Sequence, residues 1–130
     1  MTRAPAHLYT IFAGVFLMLQ GTFTLAFRLI PSLDQAFPQL LATTRMVPPH
    51  SSLHILTGIL ALVVLVRGGD GPFWFALSFG LFYVALAFLG MTEHHPKLLG
   101  LQAFDHPFHL LLGSLGLMAA ALNVRSRRLS

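Results

Sequence analysis

Long apolar runs separated by short polar stretches dominate this sequence. Four such runs cover residues 8–30, 51–66, 73–91 and 107–122. Each is about long enough to cross the hydrocarbon core of a bilayer as a helix. Strands are excluded because four strands cannot close a barrel and lipid satisfies no open sheet edge. The pattern therefore predicts an all-α protein, a bundle of four transmembrane helices.

The composition also indicates a protein that lies in a membrane. Hydrophobic residues make up 55% of the 130 residues and charged residues only 9%. A soluble domain carries about a quarter charged residues, so this chain cannot cover itself with a polar surface. We expect one membrane domain, residues 1–130, in contact with the lipid bilayer. The first run is too long for the core of a signal peptide and no cleavage site follows it closely, which predicts a retained helix.

Proline, glycine and basic residues predict the connections and the topology. Pro31 ends the first helix, and GGDGP at residues 68–72 forms a tight turn between the second and third helices. An even number of spans puts both termini on the side of this turn. Basic residues favour that side, with Arg3, Arg67, Arg125, Arg127 and Arg128 against Arg28, Arg45 and Lys97. The excess predicts cytoplasmic termini in a bacterial inner membrane, with every histidine except His7 on the outer side.

A short motif occurs twice at the start of an apolar run. The strings HSSLHILTG at residues 50–58 and DHPFHLLLG at residues 105–113 align His54 with His109 and Gly58 with Gly113. The second and fourth helices run parallel, so the two histidines should lie at matching depth. The repeat raises the hypothesis of a duplicated helical hairpin, with a pseudo-twofold axis along the membrane normal.

These motifs resemble those of an uncharacterised bacterial family of small four-helix membrane proteins. The resemblance rests on His50-x3-His54 in the second helix and Asp105-x3-His109 in the fourth, each followed by a glycine. It implies a four-helix bundle in which these four side chains form the characteristic polar set. The family brings no assigned activity.

The same four residues are candidate metal ligands. Residues four apart share one helical face, so His50 and His54 can point at one neighbour, as can Asp105 and His109. Imidazole and carboxylate groups bind zinc, copper, nickel or iron, and helix bundles often hold such sites between facing helices. Three histidines and one aspartate would suit a closed tetrahedral zinc site or an open catalytic one.

Two other uses of the repeat stay open. His54 and His109 could be the axial ligands of a b-type haem or hold a chlorophyll-type pigment, with Gly58 and Gly113 letting a flat macrocycle approach the backbone. Alternatively, the two histidines hydrogen-bond each other or a backbone carbonyl and serve helix packing. In that interpretation Asp105 caps the fourth helix and the glycines allow close helix contact. Proton or substrate handling is a fourth possibility.

Further polar and sulfur-containing residues lie near these positions. Glu93, His94 and His95 end the third helix and could close over a metal. Met46 and Met91 are on the same side and would suit copper(I). Ser51 or its neighbour Ser52 could cap the second helix.

Several functional classes are excluded. The chain has no phosphate-binding glycine motif, no nucleophile paired with a base, and no cysteine for disulfides or thiolate metal sites. Its basic residues flank membrane spans, which argues against a nucleic-acid partner. The leading hypothesis is a non-catalytic structural or accessory subunit of a larger membrane assembly. The alternative is a bundle that binds a transition metal (zinc or copper) or a haem, and it requires His54 and His109 to meet across an interface between the second and fourth helices.

Overall fold

The computed structural model describes residues 4–38, 46–92 and 99–128, with side chains as far as Arg125. Some residues singled out in the sequence lie outside the described part, so the structure does not bear on their predicted roles. They are Arg3, Arg45, Glu93, His94, His95, Lys97 and the side chains of Arg127 and Arg128.

The described chain forms five helices. They are α1 (Pro5–Leu29), α2 (Pro31–Ala36), α3 (Pro48–Arg67), α4 (Gly71–Thr92) and α5 (Asp105–Arg128). Four of them, all except α2, are long and apolar enough to cross a membrane. This confirms the predicted all-α bundle with four spans. The short α2 was not predicted, because Pro31 ends α1 but also occupies the first position of the new helix, where proline is well tolerated.

The second span begins earlier than the apolar pattern indicated. Pro48 is the first residue of α3, because proline lacks only a backbone donor that a first turn leaves unused. Ser51 therefore lies inside the helix and does not cap it. The side-chain hydroxyl of Ser51 instead hydrogen-bonds the hydroxyl of Thr24 on α1, at 2.8 Å.

Each half of the bundle is an antiparallel pair of helices that meet at two glycines. In the pair α1–α3, a Cβ on Gly58 would lie 2.8 Å from the carbonyl oxygen of Gly14. In the pair α4–α5, a Cβ on Gly113 would lie 2.9 Å from the carbonyl oxygen of Gly80. No larger residue fits at these crossings, which is how small residues allow membrane helices to approach closely. The two pairs are therefore built alike.

The two pairs join through α1, which packs against both α4 and α5, and through a contact of α3 with α4. Tyr9 on α1 fixes this arrangement by donating a hydrogen bond to the carbonyl oxygen of Leu112 on α5, at 2.8 Å. Within the described residues, α3 and α5 share no close backbone contact. These two helices, the second and fourth spans, lie diagonally across the bundle and face each other through side chains at its centre. The predicted approach of His54 and His109 takes place there, with ring centroids 6.3 Å apart.

Large apolar side chains cover the outside of the bundle, and its interior holds several polar side chains beside an apolar core. Phe12, Leu56 and Leu111 are more than half exposed on their helices, as a surface in contact with lipid requires. The buried polar side chains of the described residues include those of Thr10, Thr24, His50, Ser51, His54, Asp105, His109 and Asn123. The chain is a multi-pass membrane protein with a polar centre.

Candidate metal centre

Three histidines meet at one end of the bundle centre. His50 and His54 come from the first two turns of α3, and His109 comes from the second turn of α5. With a rise of 1.5 Å per residue, His54 lies about 9 Å inside the start of its helix and His109 about 6 Å inside its own. The two rings nevertheless lie at a similar level, since their centroids are 6.3 Å apart across the bundle, as the repeat predicted. All three side chains are at most 1% exposed.

Glycine on the neighbouring helix makes room for one of these imidazoles. A Cβ on Gly21 of α1 would lie 2.9 Å from the Cβ of His54 and 2.5 Å from the carbonyl oxygen of Ser51. The close approach of α1 and α3 at this level brings the His54 side chain into the centre. A residue larger than glycine at position 21 would push α1 and α3 apart and move His54 out of the cluster.

The three imidazoles are close enough to share one ion. One ligand nitrogen can be chosen on each of His50, His54 and His109 such that all three lie within 4.8 Å of one another. The ring centroids of His50 and His54 are 4.6 Å apart, and that of His109 is 5.7 Å from the first and 6.3 Å from the second. Two nitrogens bound to one zinc at about 2.0–2.1 Å lie at most about 4 Å apart. In a tetrahedral site they lie about 3.3–3.4 Å apart, so the most distant nitrogens here would have to approach by up to about 1.5 Å.

The polar atoms of this cluster make no hydrogen bond of good geometry with the described part of the protein, although the Leu99 backbone lies near enough to His50 to interact with it. Among the described residues, nine buried side-chain nitrogens and oxygens lack a hydrogen bond. Seven of them belong to this one place: both ring nitrogens of His50, His54 and His109, and the hydroxyl of Tyr83. The other two belong to Gln20 and His106. The prediction that His54 and His109 bond each other or a backbone carbonyl is not met by any hydrogen bond in this part of the chain.

The energetic consequence is large. An unsatisfied buried polar group costs about 1–3 kcal/mol, so seven of them would cost on the order of 10 kcal/mol. That is comparable with the whole folding stability of a typical domain, about 5–15 kcal/mol. A polar cluster of this kind is compatible with a stable bundle when buried water or a bound ligand supplies the missing partners. A metal ion satisfies three of the imidazole nitrogens at once.

Asp105 does not belong to the ligand group. The aspartate is 6% exposed and one of its carboxylate oxygens accepts the backbone N–H of Gln102, at 2.7 Å. This bond orders the turn before α5, so the predicted cap acts on the preceding residues and not on the first turn of the helix. The carboxylate also lies close enough to His50 to interact with it electrostatically. Asp105 is thus a neighbour of the three-histidine group in this structure, and its predicted ligand role stays a prediction.

A haem or pigment does not fit between His54 and His109. The ring of His50 is nearer to each of them than they are to each other, so it stands beside the line that joins them. A macrocycle bound by both would have to occupy that position. The predicted role of the two repeat glycines also fails, since Gly58 and Gly113 are covered by the backbones of α1 and α4.

Tyr83 is a member of the cluster that sequence reasoning missed. Its ring centroid lies 4.8 Å from that of His109, in an edge-to-face arrangement, and 6.3 Å from that of His54. Its side chain is 1% exposed. The available signal was a phenol in the middle of an apolar span, where a hydroxyl needs a partner.

Two segments between helices pack over this end of the bundle. Met46, just before α3, is 1% exposed, and Leu101, just before α5, is fully buried. The segments touch each other where Gly100, with φ of 54°, lies against Val47; a Cβ there would be 2.9 Å from the valine Cγ1. Met91 is 43% exposed, so it does not join Met46 in a buried methionine pair.

Comparisons with known proteins give no information about the site. No protein-family model, curated protein or solved structure matches the chain. The resemblance to a bacterial family of small four-helix proteins therefore stays a prediction.

Proposed function

We propose that this membrane protein binds one transition-metal ion at the centre of its bundle, through one nitrogen each of His50, His54 and His109. The observation that carries the proposal is the convergence of three buried imidazoles, each with a ligand nitrogen within 4.8 Å of the others. Among the described residues, these rings make no hydrogen bond of good geometry. The two helices that donate ligands, α3 and α5, belong to different halves of the bundle, so the ion would also link those halves.

The donor set selects the class of metal. Three imidazoles without a thiolate suit zinc, copper, iron or nickel, whereas calcium and magnesium prefer oxygen ligands. Zinc and copper are the first candidates because both bind histidine strongly, with copper above zinc in intrinsic affinity. The site lies one to two turns inside one end of the bundle, so the ion would enter from that face of the membrane.

The test is a metal analysis of the protein purified in detergent. After removal of bound metal and dialysis against zinc or copper(II), the wild type should retain one ion per chain. His54→Ala and His109→Ala should each lower the affinity at least about tenfold while the helical content is kept, since outer-shell changes alone already cost 10–100-fold.

A matched control removes a histidine at the opposite end of the bundle. His7→Ala on α1 changes a half-buried imidazole outside the cluster and should leave the stoichiometry at one. If the wild type retains no more metal after dialysis than the two cluster variants, the proposal is refuted. In that case water molecules hydrogen-bonded to the imidazoles would be the remaining account.

We propose further that the chain lies in a bacterial inner membrane with both termini in the cytoplasm, and that the metal site faces the outer side. The distribution of arginines supports this orientation. A reporter fused after Ser130 should stay cytoplasmic, and one inserted between Asp34 and Gln39 should be exported. The opposite pattern would move the metal site to the cytoplasmic side.

Association with a larger membrane assembly stays a prediction. The exposed apolar faces of the helices are compatible with lipid contact, which explains them without a partner protein. Co-purification of stoichiometric subunits from a mild detergent would be the observation in its favour.

A further inference from the structure

We infer that the ion held by the three histidines keeps a fourth coordination position open, and that the Tyr83 hydroxyl binds the water or small anion that fills it. This inference rests on the proposed metal site. It assigns the site to the reactive class of metal centres and goes beyond simple retention of an ion.

The number of protein ligands is the first argument. Structural zinc sites are closed by four protein ligands, whereas reactive sites have three and a water or substrate in the fourth position. The group of buried ligands within reach of one another contains three histidines in the described part of the chain. The nearest carboxylate, that of Asp105, is outside the group and accepts a hydrogen bond from the Gln102 backbone.

Charge balance is the second argument. Three neutral imidazoles leave a divalent ion with both of its positive charges, which is costly in the low dielectric of a bundle centre. The Asp105 carboxylate beside His50 offsets one charge. An anionic fourth ligand, such as hydroxide or another small anion, would offset the second and make the centre neutral.

The Tyr83 side chain provides the third argument. It is buried against the rings of His54 and His109 and its hydroxyl is without a partner among the described residues. A phenol can donate a hydrogen bond to an oxygen or nitrogen held on a metal. The other tyrosine, Tyr9, has its hydroxyl already bound to the carbonyl oxygen of Leu112.

The first helix pair shows that packing alone does not require a phenol here. Leu17 stands three residues after Gly14, as Tyr83 stands three residues after Gly80, and both side chains are at most 1% exposed. An apolar side chain therefore fills the equivalent position of the other pair. The hydroxyl of Tyr83 is therefore not needed to fill this position, and it occurs only in the pair whose ring contacts His109.

The experiment uses cobalt(II) as a spectroscopic probe and azide as the probe anion. The cobalt-loaded protein in detergent is titrated with azide while its visible spectrum is recorded. In the wild type, azide should change the cobalt bands in a saturable way, because it replaces the water in the open position. Tyr83→Phe should raise the azide dissociation constant about tenfold, the value of one hydrogen bond to a charged group.

The controls separate this inference from the metal site itself. Tyr9→Phe removes the other tyrosine hydroxyl and should leave azide binding unchanged. Tyr83→Leu, which copies the residue of the first pair, should behave as Tyr83→Phe. If the protein binds one cobalt ion per chain but azide does not change its visible spectrum, the open coordination position is refuted. Equal azide affinity in the wild type and both Tyr83 variants would refute the role of the hydroxyl. Failure of the wild type to bind cobalt would instead refute the proposed function, and this inference with it.

Discussion

The two helix pairs of the bundle have the same backbone arrangement, called here the frame, and differ in the side chains that it carries. Gly14 with Gly58, and Gly80 with Gly113, form the same close crossing in α1–α3 and α4–α5. A second contact recurs at equal distance from each crossing. Thr24 meets Ser51 in the first pair, and the corresponding positions in the second pair are Gly90 and His106, whose ring lies against the glycine.

The differences concentrate at the bundle centre. Eight residues before the crossing glycine of α3 stands His50, and the same position of α5 holds Asp105. Three residues after the crossing glycine of α1 stands Leu17, and the same position of α4 holds Tyr83. His54 and His109 alone match. The first pair thus contributes two imidazoles, and the second contributes one imidazole, a phenol and a carboxylate.

This comparison teaches that frame and chemistry are separable in this fold. The glycine crossings set the distance between helices and leave no room for a larger side chain. The inward positions about one to two turns away hold apolar, basic, acidic and phenolic side chains. A symmetric frame can therefore carry an asymmetric site. An asymmetric site is what a metal with three protein ligands and one exchangeable ligand requires.

The largest expected effect concerns the ion as a link between the pairs. Zinc at 100 times its dissociation constant should stabilise the wild type by about 2.7 kcal/mol. In His109→Ala any remaining zinc is held by the two imidazoles of α3 alone, so it no longer links the pairs and should stabilise the bundle little. His50→Ala leaves one imidazole on each side and should only reduce the stabilisation. Unfolding in mixed detergent micelles, with and without zinc, measures the difference. Equal zinc stabilisation of the two variants would contradict the linking role.

The next effect tests the shared frame. Gly58→Ala and Gly113→Ala each force a Cβ against a backbone carbonyl of the partner helix, so each should lower the free energy of unfolding by about 1–3 kcal/mol. The matched control is Ser114→Ala, at an exposed position next to Gly113, which should change it little. Strongly unequal effects in the two pairs would mean that the crossings are not equivalent.

The smallest effect tests the hydrogen bond that makes the second contact of the first pair. Ser51→Ala removes the hydrogen bond to the Thr24 hydroxyl and should cost about 0.6 kcal/mol, the average for such bonds between membrane helices. Metal affinity should not change, since neither hydroxyl belongs to the ligand group. Thr22→Val, which alters an exposed hydroxyl bonded only to its own helix, is the control. A loss of metal binding in Ser51→Ala would extend the site to this pair.

The spans and the matching depth of the two histidines followed from the sequence because they depend on length, hydropathy and a repeated spacing. The diagonal relation of α3 and α5 did not follow. Their spans are apolar on most sides, so periodicity does not reveal which face turns inward, and the glycine crossings decide it. Tyr83 was missed for the same reason. The four-residue spacing places Asp105 on the face of His109, but its hydrogen bond from Gln102 was not foreseeable from that spacing and holds the carboxylate outside the three-histidine group.

The central claim is that three histidines from the two pairs bind one ion, and the X-ray absorption spectrum of the zinc-loaded wild type tests it most directly. The account predicts four light-atom neighbours at about 2.0–2.1 Å, three of them with the multiple scattering of imidazole. In His109→Ala the imidazole contribution should fall to two. A wild-type spectrum with a zinc shell of oxygen neighbours and one imidazole or none would contradict the account.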